Sequence, residues 1–245
     1  MKVIIPNWPA SKHVRAISTT RLGGVSTAPY HELNLGLHVG DDEAVVNQNR
    51  ELLKQHCDLV DSPAWLNQIH SADVIELNAE LLSVPDADGS FTRIPGLACA
   101  IMTADCLPVL FCDKQGTEVA AVHAGWRGLA TGVIEHAVEK FHCNAADIMA
   151  WLGPAIGPNA FEVGGEVREQ FMAADPNAED AFIPHGEKWL ADLYLLAKQR
   201  LNRLGITAVY GGEYCTFTDK QQFYSYRRQA VTGRQASLIW LADNK

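Results

Sequence analysis

Several common signatures are missing from this chain, and each absence removes a class of protein. No apolar run approaches the roughly 18 residues of a membrane-spanning helix, so no membrane span is expected. The N-terminus, "MKVIIPNWPASKHVRAISTT", has neither a long apolar segment nor a small-residue cleavage site. A secretory leader is therefore not expected. The six cysteines, Cys57, Cys99, Cys106, Cys112, Cys143 and Cys215, form no C-x-x-C pair. That argues against a zinc ribbon or a thioredoxin-type site. Neither G-x-x-x-x-G-K-[ST] nor G-x-G-x-x-G occurs, so a nucleotide triphosphatase or dinucleotide enzyme is not indicated. Positive charge is scarce: 20 Lys and Arg face 29 Asp and Glu, for a net charge of −9. A polyanion such as nucleic acid would be repelled, although a few local arginines could still hold a small anion.

What remains is ordinary globular material, 245 residues with 47% hydrophobic and 20% charged. There is no repeat, low-complexity stretch or Pro/Ser-rich linker, so residues 1–245 are read as a single compact domain. Cysteines in apolar runs behave as small hydrophobes and suit a reduced, cytoplasmic protein.

Short apolar or alternating runs bounded by Gly, Pro or Asp predict strands at Val14–Thr20, Asp73–Leu77, Leu97–Met102 and Pro108–Cys112. The same pattern predicts Glu118–His123, Ile148–Leu152, Thr207–Tyr210 and Ala236–Leu241. Helical spacing predicts helices in "EAVVNQNRELLKQHC", "GLATGVIEHAVEKFH", "EVREQFMAAD" and "KWLADLYLLAKQRLNRLG". The turn-rich "SVPDADGSFTRIPG", residues 83–96, reads as a loop. Runs 97–102, 108–112 and 118–123, joined by short turns, imply antiparallel or mixed pairing. The fold class is α+β, with mixed β-sheets in the middle and helices packed outside.

Three residues with chemistry stand at the ends of these runs. His70 closes "AWLNQIH", Cys106 sits in "TADCLPVLF", and His123 ends the strand in "EVAAVHAGWRG". Two imidazoles and a thiolate form a three-ligand set used for catalytic zinc with an open fourth position. Spacings of 36 and 17 residues are too long for a local chelate, so only the fold can bring them together. The alternatives are plain packing, or a metal-free pair with Cys106 as nucleophile and a histidine as base. Asp105 is an ionisable group in an apolar run and needs a partner or a function. It also suits a turn or cap.

Arg21, before Gly23-Gly24, and Arg127, between Gly125 and Gly128, are candidate anion binders, with loop surface arginines as the alternative. In "NLGLHVGDD", His38, Asp41 and Asp42 read as a turn leading into a helix N-cap. Asp86 and Asp88 in "PDADGS" lack the twelfth-position glutamate of a calcium loop and read as a turn. In "LGPAIGPNAFEVG", Phe161 or Glu162 could face a ligand, or the stretch is a connector.

Taken in order, "TRLGGVS", "NLGLHVGDD…VVNQNR", "WLNQIHSADV", "DADG", "TADCLPVLF", "VHAGWRG", "LGPAIGPNAFEVG" and "FYSYRRQAVTGRQAS" resemble the YfiH-type family. That family was formerly labelled laccase-domain or polyphenol oxidase and is understood as purine nucleoside phosphorylases. The resemblance spans about residues 3 to 242. It implies zinc held by His70, Cys106 and His123. It implies phosphorolysis of adenosine, inosine and 5′-methylthioadenosine to free base and ribose 1-phosphate, with adenosine deamination at the same site. A monomer or small homo-oligomer is expected.

Within that frame, Arg21 and Arg127 would hold phosphate. Zinc deaminases of the cytidine type carry their proton shuttle in an H-x-E pattern. Neither His70 nor His123 opens one, so Asp105 is the candidate shuttle. Three rivals stand beside this. A copper polyphenol oxidase is disfavoured because nine histidines form no H-x-H pair and none adjoins Cys106, although the same His2Cys set would take copper in vitro. The others are a metal-free cysteine hydrolase and a binding protein without turnover.

Overall fold

The chain's most apolar strands are apolar on both faces, which dictates a layered structure with sheets covered on each side. The computed structural model describes residues 1–78 and 84–242. With strands numbered in chain order, an antiparallel sheet runs β1 (Val3–Ile4), β2 (Val14–Thr19), β13 (Gln235–Leu241), β5 (Cys99–Thr103). A six-stranded mixed sheet contains β3 (Val74–Glu76), β4 (Gly89–Thr92), β6 (Leu107–Asp113), β7 (Val119–Ala124), β8 (Ile148–Leu152) and β12 (Ala208–Gly211). Their order is β12-β8-β6-β7-β4-β3, with the outermost pair at each end parallel. A small sheet joins β9 (Glu162–Val163), β10 (Phe182–His185) and β11 (Lys188–Ala191).

The two large sheets pack face to face. Leu110 and Cys112 of β6, Val119 and Ala121 of β7 and Trp151 of β8 meet Cys99, Ile101, Ile239 and Leu241 across the layer. The alternate residues Val109, Phe111, Ala120 and Val122 face helices instead. Those helices are α2 (Trp126–Thr131), α3 (Val133–Val138), α4 (Gly165–Ala174) and α5 (Leu193–Arg203). Helix α1 (Glu43–His56) covers the outer face of the smaller sheet through Leu53. The result is helix, sheet, sheet, helix, as the α+β reading expects. No helix among the described residues is long and apolar enough to cross a membrane.

All eight expected strands form, and five short ones were not expected: β1, β4, β9, β10 and β11. The supposed loop 83–96 contains β4; residue 83 itself lies outside the described residues. Gly89 admits this strand, since a Cβ there would sit 2.8 Å from both Val122 Cγ1 and Val74 Cγ2. "GLATGVIEHAVEKFH" forms two helices, not one. Gly132, at φ +103°, breaks it with a left-handed turn that the apolar spacing does not register. The last predicted helix begins late because Lys188–Ala191 pair as β11. Asp192 then caps α5 by accepting from Leu195 N at 3.0 Å. Asp42 caps α1 as expected, accepting from Ala44 N at 2.8 Å.

One pairing differs in a way that creates the site. Runs 97–102 and 108–112 are not neighbours in one sheet; β5 and β6 belong to different sheets. The chain crosses between them through Ala104, Asp105 and Cys106, with Asp105 at φ 97°. Strand β6 then turns into β7 in a hairpin that sets Pro108 opposite His123. Its turn is closed by buried Asp113, which accepts from Thr117 N at 2.7 Å, Glu118 N at 2.8 Å and Thr117 Oγ1 at 2.9 Å. Asp113→Ala leaves these donors without their acceptor, at an expected cost of roughly 2–3 kcal/mol. A urea titration reads this as a lower midpoint, and an unchanged midpoint contradicts it.

Candidate metal centre and cavity

Three chain segments converge where β5 hands over to β6. Cys106 stands immediately before β6, and His123 is the penultimate residue of the adjacent β7. His70 precedes β3 with a left-handed backbone, φ 63°. A non-glycine residue holds that conformation only where its surroundings insist on it. Here they do: the fully buried Asp88 carboxylate accepts from Ile69 N at 3.1 Å, His70 N at 3.0 Å and Ser71 N at 2.6 Å. The same carboxylate lies 2.8 Å from His123 Nδ1. That contact fixes the tautomer and leaves Nε2 free to bind a metal.

The ligand atoms of His70, Cys106 and His123 all lie within 4.8 Å of one another. The two imidazole rings meet edge to face, with centroids 4.8 Å apart. Gly125 keeps the space open: a Cβ there would sit 3.1 Å from Cys106 Sγ and 3.2 Å from His70 Cδ2. Two imidazoles, one thiolate, an oriented second ring and an uncrowded centre fit a metal ion, and the set suits zinc or copper.

The electrostatics agree. Burial alone would raise the Cys106 thiol, but the His123 and His70 imidazoles outweigh it and bring the thiol down to about 6. Burial would lower His123, yet Cys106 and Asp88 push it up to about 9. Burial likewise opposes ionisation of Asp88, while His123 and Ser71 hold its carboxyl below the usual range. Without metal, the pair is therefore thiolate and imidazolium. Binding a metal displaces the His123 proton and keeps the thiolate.

The group lies in the wall of a cavity of about 430 Å³. Trp126, Phe161 and Tyr226 give it flat apolar surface, and Arg127, Arg227 and Arg234 give it charge. Arg127 is exposed in the first turn of α2, its guanidinium 4.4 Å from the Trp126 ring centroid. Arg21 is not in this lining. Its Nε donates to His31 O at 2.8 Å and its Nη1 to Lys220 O at 3.2 Å, which makes it a tie between loops. Of Phe161 and Glu162, only Phe161 lines the cavity; Glu162 pairs with Lys188 at 2.7 Å and His185 at 3.0 Å.

Asp105, which had no partner evident in the sequence, has three. It accepts from Thr216 Oγ1 at 2.7 Å, Ser225 Oγ at 3.0 Å and Arg227 N at 2.7 Å. His38 lines the cavity beyond its expected turn role, and burial followed by Arg234 lowers its imidazole. Asp41 holds Ser26 and Asn34, and Asp86 accepts from Asn67, so both are structural as expected. Asp88 is the main residue that sequence reasoning missed. Its neighbours mark a turn, and nothing local reveals that it faces two histidines distant in sequence. Tyr226, Arg227 and Arg234 lie within "FYSYRRQAVTGRQAS", where their spacing carries no periodic signal.

Comparison with known proteins adds to this geometry. Residues 15–242 match the family model described as multi-copper polyphenol oxidoreductase laccase. The chain is 56% identical to purine nucleoside phosphorylase YfiH of Escherichia coli over 240 residues, 98% of this chain and 99% of that protein. It is 53% identical to a purine nucleoside phosphorylase of Pseudomonas aeruginosa, covering 98% of each. The chain belongs to the laccase-like YfiH family. Members with solved structures share the whole architecture. A Neisseria meningitidis protein superposes with a TM-score of 0.96 at 49% identity, over 99% of this chain and 100% of that one. YlmD of Geobacillus stearothermophilus gives 0.88 at 28% identity, over 99% and 97%. The family label and the relatives' names point to different chemistries, copper oxidation and phosphorolysis.

Gly125→Ala and Asp88→Asn should each weaken zinc binding by about 10–100-fold, the first by crowding the centre, the second by releasing His123. Competition with a chromophoric chelator measures this; wild-type affinity in both variants contradicts the assignment. Cys106 in chelated protein should keep its alkylation rate down to about pH 6, and added zinc should protect it. A rate falling away below pH 9, as for an ordinary thiol, contradicts the ion pair.

Proposed function

We propose that residues 1–245 form one purine nucleoside phosphorylase, acting on adenosine, inosine and 5′-methylthioadenosine, with adenosine deaminase activity at the same centre. One observation carries the reading: a single cavity joins the His70–Cys106–His123 group, flat aromatic walls and three arginines. A purine needs a flat apolar surface, and orthophosphate needs guanidinium forks. The relatives' names support the phosphorylase part of this reading.

In phosphorolysis, a phosphate oxygen forms a bond to the anomeric carbon as the bond from that carbon to the purine nitrogen breaks. Arg127 and Arg227 hold the phosphate dianion and orient it for attack. Phe161, beneath the Arg227 guanidinium at 5.4 Å, and Tyr226 grip the base and exclude water. His70, Cys106 and His123 would hold zinc, which would supply Lewis-acid chemistry for the departing base and for deamination. Asp88 keeps His123 in its ligating tautomer.

Asp105 deserves a different role from proton shuttle. Both its oxygens are engaged by donors, and one of those donors is the backbone of Arg227. It is a positioning residue that ties the Tyr226–Arg227 wall to Cys106.

The deciding experiment incubates zinc-loaded protein with adenosine, with and without phosphate. Adenine should appear only with phosphate, and inosine without it. Oxidised phenols with copper, and neither purine product with zinc, would favour the family's oxidase label instead. Cys106→Ala should abolish both activities. Arg127→Ala should raise the phosphate KM by about tenfold or more with little change in deamination. Equal losses in both reactions would make Arg127 a structural or nucleoside contact. Asp105→Ala should raise the phosphate KM while zinc content stays at wild type; loss of zinc would remove the positioning role.

A further inference from the structure

Phosphorolysis as proposed uses two of the three guanidiniums in the cavity and leaves one wall without a task. That wall joins residues 34–38 to Arg234. Leu35 N donates to Arg234 O at 3.1 Å, and Arg234 N donates to Asn34 Oδ1 at 2.9 Å. Gly36 makes room for the arginine stem, since a Cβ there would lie 2.8 Å from Arg234 Cγ. The guanidinium is aimed by its Nη1, which donates to Thr232 O at 3.1 Å and Gly233 O at 3.0 Å. Both Arg234 and His38 line the cavity.

Among the described residues no carboxylate pairs directly with this guanidinium; Asp105 and the Cys106 thiolate act on Arg234 only through space. Among the described residues, Arg127, Arg227 and Arg234 enter no ion pair. The carboxylate in the lining, Asp105, bonds Thr216, Ser225 and the Arg227 backbone instead. A partly desolvated guanidinium without a hydrogen-bonded anion is costly unless a ligand supplies one. Orthophosphate is a dianion, matched by two guanidiniums. The third calls for an anionic group on the other substrate. The chain's net charge of −9 shows that this cation excess is a local feature.

We infer that the cavity takes a purine nucleoside bearing its own phosphate, a nucleoside monophosphate, with that group seated against Arg234 and His38. The inference rests on the purine reading above and extends it to an anionic substrate class.

Calorimetry on the zinc-loaded full chain tests it, comparing adenosine with adenosine 5′-monophosphate, each with and without saturating orthophosphate. The monophosphate should bind about tenfold or more tightly, and keep that advantage when orthophosphate is present. In Arg234→Gln the ratio of the two affinities should fall to within about threefold of unity; Arg234→Lys should restore part of it. Should Arg234→Gln fail to fold, His38→Asn reads the same ratio at the other side of the wall. Equal binding of the two ligands in wild type overturns the inference. So does an advantage that orthophosphate abolishes, because the 5′-phosphate would then occupy the orthophosphate's own place. Adenosine that binds without phosphorolysis defeats the phosphorylase reading but leaves the affinity comparison intact.

Discussion

The buried carboxylate of Asp88 is the point on which the centre's geometry depends. Its two oxygens serve four partners: three successive backbone N–H groups at Ile69, His70 and Ser71, and the Nδ1 of His123. One charge therefore fixes the left-handed turn that presents His70 and the tautomer that presents His123. The backbone of Asp88 adds a further tie, its carbonyl accepting from His123 N at 2.6 Å. Hydrogen bonds to an ionised acceptor are the strong ones, and low surrounding polarity strengthens them. Such a carboxylate holds two ligands in place before any metal arrives, which is what a site must do if binding is not to pay for reorganisation.

Around this anchor the fold supplies position rather than chemistry. The β6–β7 hairpin brings His123 beside Cys106 through its register. The crossing from one sheet to the other, at Ala104 to Cys106, frees the backbone from any ladder where the cysteine must face a cavity. Gly125 then begins the turn into α2 without a side chain that would crowd the ligands. From the other side, Asp105 draws the 215–228 segment inward and delivers Arg227 and Tyr226 to the cavity wall. Adjacent residues thus serve different ends: Cys106 faces the centre, and Asp105 holds the wall opposite it.

Much of this was legible in the chain itself. The long apolar runs predicted the core strands, and helical spacing predicted α1, α4 and the body of α5. His70, Cys106 and His123 stood out as chemical groups at strand ends. What local pattern could not convey was pairing. Runs 97–102 and 108–112 look like a hairpin because they are close in sequence and equally apolar. Only the packing of two sheets assigns them to different layers. Gly132 looks like one more residue in a helical run, since the break depends on its backbone angle and not on its hydrophobicity. Arg21 looks as good an anion binder as Arg127 until the fold places it outside the cavity lining, as a tie between loops.

The amino-acid sequence by itself determined the fold class and the family, because burial periodicity and motif order are properties of the linear chain. It also determined that three metal-type donors existed. Tertiary structure alone decided that they meet, that Asp88 is their shared support, and that Arg234 and His38 look into the same cavity as Arg127. The reason is physical: those contacts link residues tens to hundreds of positions apart. Their geometry is set by sheet register and inter-sheet packing, which no short window of sequence contains.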